Sequence, residues 1–200
     1  MAMKTHELLI DAALTLFSQN DYGNVTTRKI VAEAGVALPT LHRHFETKEN
    51  LFRDVLRSTY ANMDGLRDKL LSELSEADNH SQILKSAIKS FVGFGTKDPR
   101  PLRLLVRVVS DPTAPRDQYN QSRNDFLDYA VELFPSPLPP HELRTRIQVF
   151  LFGFSRLVTL DRSDICEIMG VKTWKQARPL LEETLIVAAH DCIQIAVSPS

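Results

Sequence analysis

The amino-acid sequence predicts an all-α protein, on three observations. Apolar residues recur three and four positions apart through most of the chain, the spacing of one helix face. No stretch of convincing length alternates apolar and polar residues as a strand would. The periodic stretches are closed by Gly35, Pro112 and Pro135, residue types that stop helices. There is no internal repeat and no low-complexity segment.

Ile10, Ala13, Leu14 and Phe17 stand at i, i+3, i+4 and i+7 and predict a first helix with a narrow apolar stripe. Tyr22-Gly23-Asn24 follows as a loop. Thr26 or Thr27 caps a second helix, with a stripe at Thr27, Ile30, Val31 and Ala34, which Gly35 ends. A short helix runs to about His44. Thr47 caps a long one, expected to reach about Leu74, with Glu49 in its first turn where the helix dipole favours negative charge. Beyond it, SQILKSAIKSFVGF is amphipathic, PRPLRLLVRVVSD starts at Pro101 and stops before Pro112, and RDQYNQSRNDFLDYAVELF ends at Pro135. PSPLPP, residues 135–140, is a stiff connector. Asp161, Asp164 and Glu167 read as a solvated turn or short helix. HELRTRIQVFLFGFSRLVTL and TWKQARPLLEETLIVAAHDCIQIAV supply the last two long helices, and Pro179 sets the expected start of the regular part of the second.

The chain has 200 residues, 43% apolar and 24% charged, enough to bury a substantial core. Its net charge of −1 gives no general basic excess for nucleic acid and no acidic excess for disorder, so any charge argument is local. Cys166 and Cys192 stand far apart with no CxxC, as two reduced thiols would. The N-terminus carries His6, Glu7 and Asp11 where a signal peptide is apolar, and runs such as IQVFLFGFS are far short of a membrane span. A cytoplasmic protein with no membrane partner is expected.

The stretch AGVALPTLHRHF, residues 34–45, stops one helix and restarts another within four residues. Two short helices joined by a glycine turn form a helix-turn-helix, whose second helix can lie in the DNA major groove. Gly35 supplies the positive backbone dihedral of the turn, and Val36 packs under it. Pro39 falls in the first turn, where its missing N–H has no intrahelical partner. Leu41 and Phe45, four apart, anchor the short helix and leave Thr40, His42, Arg43 and His44 for groove and phosphates.

The segment LIDAALTLFSQNDYGNVTTRKIVAEAGVALPTLHRHFETKENLF resembles the DNA-binding domain of the TetR family of one-component transcriptional regulators. The resemblance is carried by Ala12-Ala13, Leu16-Phe17, Tyr22, Thr26-Thr27, Ile30-Val31-Ala32, Ala34-Gly35-Val36, Leu41, His44-Phe45, Lys48-Glu49 and Leu51. It implies an N-terminal three-helix helix-turn-helix domain, residues 1–47, and a larger helical ligand-binding and dimerisation domain, residues 48–200. It further implies phosphate contacts from Thr27, Arg28, Thr40, His44 and Lys48, and base contacts from Leu38, Pro39, His42 and Arg43. Arg43 suits a bidentate bond to guanine, and Leu38 or Pro39 a thymine methyl. The chain departs from the family where Ala37 replaces a capping Ser or Thr, a loss of about 1 kcal/mol, and where His42 replaces a common Tyr. An imidazole brings an N–H and, when protonated, a charge, so DNA affinity is expected to rise as pH falls toward 6.

Residues 25–48 hold four basic and two acidic side chains, a local +2. One such copy binds DNA poorly; two copies roughly 34–36 Å apart double the phosphate contacts and fix half-site spacing. A homodimer is therefore expected. The C-terminal helices agree, each being apolar on more than one face. Ile147, Phe150, Leu151, Phe154, Leu157 and Val158 form one stripe, with Val149 and Phe152 off it. Leu181, Leu185, Ala188, Cys192 and Ile195 form one seam of the last helix, and Ile186, Ala189, Ile193 and Ala196 a second. The resemblance likewise implies dimerisation through the last two long helices.

Phe91, Phe94, Tyr119, Phe126, Phe150 and Phe154 either line an effector cavity or form plain core. Arg103 and Arg107 either project to solvent or face an anionic effector, with Arg123 and Arg156 as weaker candidates. His190 reads as a hydrogen-bonded core histidine. No nucleotide, hydrolase or metalloprotease motif is present, and His42 and His44 diverge on a helix, so no cofactor, metal or enzymatic activity is expected. The expected function is a ligand-responsive regulator, a repressor released from a palindromic operator by a small molecule. The alternative is a helical protein-interaction module with a degenerate helix-turn-helix.

Overall fold

The computed structural model describes residues 4–73, 80–134 and 136–194. Among these the regular structure is ten α-helices and one 3-10 turn, with no strand. The helices are α1 Thr5–Gln19, α2 Thr27–Ala34, α3 Leu38–Phe45, α4 Lys48–Glu73, α5 His80–Lys97, α6 Arg100–Ser110, α7 Asp117–Leu133, α8 Pro140–Val158, α9 Arg162–Ile168 and α10 Trp174–Ile193. The 3-10 turn is Tyr22–Asn24. The expected end of α4 at Leu74, Pro135 of the connector, and Ile195 and Ala196 of the last helix lie outside the described residues.

The all-α expectation holds. One boundary differs: α10 begins at Trp174 and carries Pro179 inside it, where the regular part was expected only from Pro179 onward. Proline removes a single hydrogen bond, toward the carbonyl of Lys175, and both residues are exposed, where the loss costs least.

The chain divides into two packed units, residues 1–63 with 100–122, and residues 64–99 with 123–200. In the first, α1 packs on α2 and α6, and α2 on α3. Its core is Leu9, Ala13, Phe17, Ile30, Leu41, Leu51, Phe52 and Leu56, each at most 1% exposed. Phe17, Tyr22 and Phe52 meet in edge-on and stacked pairs with centroids 4.8–5.8 Å apart. Residues 48–63 and 100–122 thus share a core with the three N-terminal helices.

In the second unit, α10 packs on α5, α8 and α9, and α5 on α8. Ala177, Leu181, Leu185, Ala189 and Ile193, spaced by four, form the buried line of α10. Leu143, Ile147, Phe154 and Val158 form that of α8. His190 is half-buried, with Nε2 3.1 Å from Ser81 Oγ.

Candidate nucleic-acid interface

The hydroxyl of Thr26 accepts the Lys29 backbone N–H at 3.3 Å and starts α2. Gly35 ends it at φ 67°, donating to the Ala32 carbonyl at 3.3 Å while Val36 donates to that of Val31 at 3.0 Å. A Cβ on Gly35 meets nothing within 4 Å, so the demand for glycine is set by the backbone, not by space. No side chain caps α3 at Ala37; the Thr40 N–H closes the turn on the Ala37 carbonyl at 2.9 Å, and Pro39 sits within that first turn. Leu41 (0% exposed) and Phe45 (3%) hold α3 to the core. Pro39, His42, Arg43 and His44 are exposed, and Leu38 and Thr40 half-buried.

The end of α3 is stitched twice between His42 and Glu46, once through the backbone and once through the His42 ring. Glu46 takes φ 60°, unusual for a residue with a Cβ. Its N–H donates to the His42 carbonyl at 2.9 Å, and its own carbonyl lies 2.9 Å from His42 Nδ1. A carbonyl only accepts, so Nδ1 carries the hydrogen. The neutral ring therefore offers a lone pair at Nε2, and the protonated ring offers a second N–H there. The His44 ring stands 6.0 Å from that of His6, which also packs on Phe45 at 4.8 Å.

A second set of contacts fixes the turn between α1 and α2. Lys48 Nζ donates to the carbonyls of Tyr22 (2.9 Å) and Val25 (3.1 Å) and sits 3.8 Å over the Tyr22 ring. Burial lowers the Lys48 pKa, partly opposed by Asp111. Burial chiefly, and then Glu49, raises that of Tyr22 against the pull of Arg53. Asp111, 4% exposed, accepts the Tyr22 N–H at 2.5 Å and both the N–H (2.8 Å) and hydroxyl (2.7 Å) of Thr113. The Thr113 hydroxyl accepts the Gly23 N–H at 3.2 Å, and Arg107 pairs with Asp21 at 2.8 Å. Burial pushes the Asp111 carboxyl up, but its hydrogen bonds from Thr113 and Tyr22, with the charge of Arg107, outweigh burial and hold it below the ordinary carboxylate value.

Residues 9–55 match the family model described as "Bacterial regulatory proteins, tetR family". This segment is therefore similar to the DNA-binding part of TetR-family regulators. It is 29% identical over 102 residues to the nucleoid occlusion factor SlmA of Salmonella paratyphi B, covering 51% of this chain and 50% of that protein. The chain thus spans about half the length of the curated relatives it matches. In fold it is similar to a transcriptional regulator from Rhodococcus sp. Rha1, with TM-score 0.70, 18% identity and coverage of 98% of this chain and 100% of the other. It is also similar to the transcriptional regulator FadR from Bacillus subtilis in complex with stearoyl-CoA, with TM-score 0.66, 15% identity and coverage of 91% and 98%.

Of the nine residues that the TetR resemblance singles out, α3 gathers Leu38, Pro39, Thr40, His42, Arg43 and His44. Thr27 and Arg28 lie at the start of α2, half-buried and exposed. Lys48 stands apart, with two of its three N–H donors spent on the Tyr22 turn. The effector candidates divide between the units. Arg103, Arg107 and Tyr119 fall in the first, where Tyr119 is 7% exposed with its ring 6.5 Å from that of Tyr60. Phe91, Phe94, Arg123, Phe126, Phe150 and Phe154 fall in the second. There Phe91 lies edge-on to Phe126 (6.4 Å) and Phe154 (6.3 Å), and Phe150 stacks on Phe154 at 6.0 Å.

Sequence reasoning missed Asp111 and its hold on Tyr22. The one local signal was Asp-Pro-Thr directly after a helix, a pattern suited to a carboxylate that accepts from a backbone N–H two residues on. The reach across 89 positions to Tyr22 has no signature in the chain.

Proposed function

We propose that the protein is a transcriptional regulator that binds duplex DNA through α3 as a homodimer. In this reading a small molecule in the C-terminal domain, residues 48–200, releases it from a palindromic operator, which makes it a repressor; it uses no cofactor or metal and catalyses no reaction. The observation that carries the reading is the division of α3, with Leu41 and Phe45 buried and Pro39, His42, Arg43 and His44 turned outward together. Such a helix offers polar donors to base edges and phosphates while its other side fixes their direction.

Thr27 and Arg28, with the free amides that open α2, would take one phosphate. Thr40, His44 and the remaining N–H of Lys48 would take others. Leu38, Pro39, His42 and Arg43 would face the bases. Val149 (67% exposed), Phe152 (40%), Leu180 (42%) and Val187 (56%) leave apolar surface on α8 and α10, which supports a two-fold interface there. The FadR neighbour was solved with stearoyl-CoA. The cluster of Phe91, Phe126, Phe150 and Phe154 supports an effector with an apolar portion. Such an effector releases DNA by binding preferentially the conformation in which the two recognition helices are wrongly spaced. Among the described residues no helix is long and apolar enough to cross a membrane.

Selection of bound sequences from random duplex DNA, followed by a salt titration, tests the reading. It predicts a palindromic consensus with half-sites about 10 base pairs apart, or a multiple of that, and a steep loss of affinity with salt. No consensus and a shallow salt dependence would favour the helical interaction module instead.

A further inference from the structure

Beside the outward face of α3, the end of that helix and the first half of α4 border an open groove of about 340 Å³. One wall carries Arg43 and Glu46. The other carries Asn50, Arg53, Asp54 and Arg57, which stand at i, i+3, i+4 and i+7 and so share one face of α4 over about 10 Å. Three guanidinium groups against two carboxylates give the lining a charge of +1. The three arginines hold different positions. Arg53 is tied to Glu49 at 2.6 Å and Asp117 at 3.0 Å and braces the wall. The Arg43 side chain makes no hydrogen bond or ion pair among the described residues. Among the described residues Arg57 pairs only with its own neighbour Asp54, and its side chain is 63% exposed.

We infer that this groove seats a backbone phosphate of DNA on Arg57, with the Asp54 carboxylate holding the guanidinium in place until the phosphate replaces it. The inference rests on the DNA-binding reading and extends the interface along α4 from Lys48 to Arg57, beyond every residue the family resemblance implicates. Arg43 and His44 belong both to the groove and to the outward face of α3, so a duplex lying on α3 passes over the groove mouth. A phosphate oxygen pair matches a guanidinium as a carboxylate does, which is why one can substitute for the other. Asn50 adds an amide donor on the same wall, and Arg43, free to reach a base, adds its charge at the mouth. The lining is polar except for Phe45, which disfavours an apolar occupant.

A double-mutant cycle on the full chain with selected duplex DNA provides the test. Arg57→Gln should weaken binding about 5- to 10-fold at 0.1 M salt and make the log-affinity against log-salt slope shallower by about 0.9, equally on specific and random DNA. Asp54→Asn should tighten binding about 3-fold by freeing Arg57. The decisive outcome is the coupling: in the Arg57→Gln background, Asp54→Asn should give no gain. Equal gains in both backgrounds would mean that Asp54 merely repels DNA, and would overturn the inference. Unchanged affinity and slope in Arg57→Gln would overturn it too. If inorganic phosphate then bound the wild type but not Arg57→Gln, the groove would belong to a free anion. Arg57 is exposed, so melting temperatures should stay level and exclude misfolding. A wild type that binds no duplex defeats the DNA reading itself, whereas a wild type that binds while the cycle shows no coupling defeats the groove alone.

Discussion

Helices α3 and α10 both bury one apolar line, yet they differ in what they turn outward. On α3 the buried pair is Leu41 and Phe45, and the exposed residues are a proline, two histidines and an arginine. On α10 five residues are buried, and Leu180 and Val187 remain 42% and 56% exposed beside charged neighbours. A polar outward face can stay in water or meet a polar partner at little cost. An apolar one gains free energy only by being covered. In the proposed reading the two helices therefore meet different partners: nucleic acid for α3, a second copy of the chain for α10.

The comparison breaks most visibly where apolar residues are removed. Leu41→Ala should cost about 3 kcal/mol, since Leu41 is fully buried, and should abolish DNA binding through loss of the fold of the first unit. Guanidinium-chloride melts read this. The pair Val149→Glu and Val187→Glu should leave protomer helicity intact, convert a dimer to monomer in sedimentation, and weaken operator binding about 100-fold, because two half-sites no longer act together. A monomeric wild type would contradict the assignment of α10.

Asp111→Asn tests the support of the turn between α1 and α2 rather than the face of α3. It replaces a charged acceptor of three hydrogen bonds with a neutral amide and should cost about 2 kcal/mol. Because the folded carboxyl lies below its ordinary value, the unfolded chain binds more protons in the interval between the two. Stability therefore rises with pH there, is complete above the ordinary carboxylate range, and is lost as pH falls through the folded value. The variant should show a shallower acid limb in melts between pH 5 and pH 2. Ala37→Ser supplies the missing cap of α3 and should add about 1 kcal/mol.

The smallest expected effect belongs to His42. With Nδ1 committed to the Glu46 carbonyl, Nε2 is the ring atom left to meet DNA, so His42→Phe should weaken DNA binding about 3-fold. Unchanged affinity in the variant would transfer the role elsewhere, with His6 and His44 as the neighbouring imidazoles.

The N-terminal helices were legible because their determinants are local. Gly35 demands a positive φ, Thr26 and Thr47 cap from within three residues, and Leu41 and Phe45 are one turn apart. The supports of that motif were not legible. Asp111 meets Tyr22, Arg107 meets Asp21, and Arg100 meets Asp11 across 86 to 89 positions, and nothing in the sequence near either partner announces the other. The aromatic candidates show the same limit. Helical spacing identified Phe91, Phe126, Phe150 and Phe154, which do meet, but grouped with them Tyr119 and Arg107, which pack in the other unit. Periodicity gives the face of a helix, not the neighbour that covers it.

The most direct test of the assignment of α3 is sequence selection repeated with Arg43→Ala. If the outward face of α3 reads bases, the variant should still bind duplex DNA but lose preference at one base pair in each half-site, by about 5- to 100-fold. An unaltered consensus, with only a general fall in affinity, would contradict it.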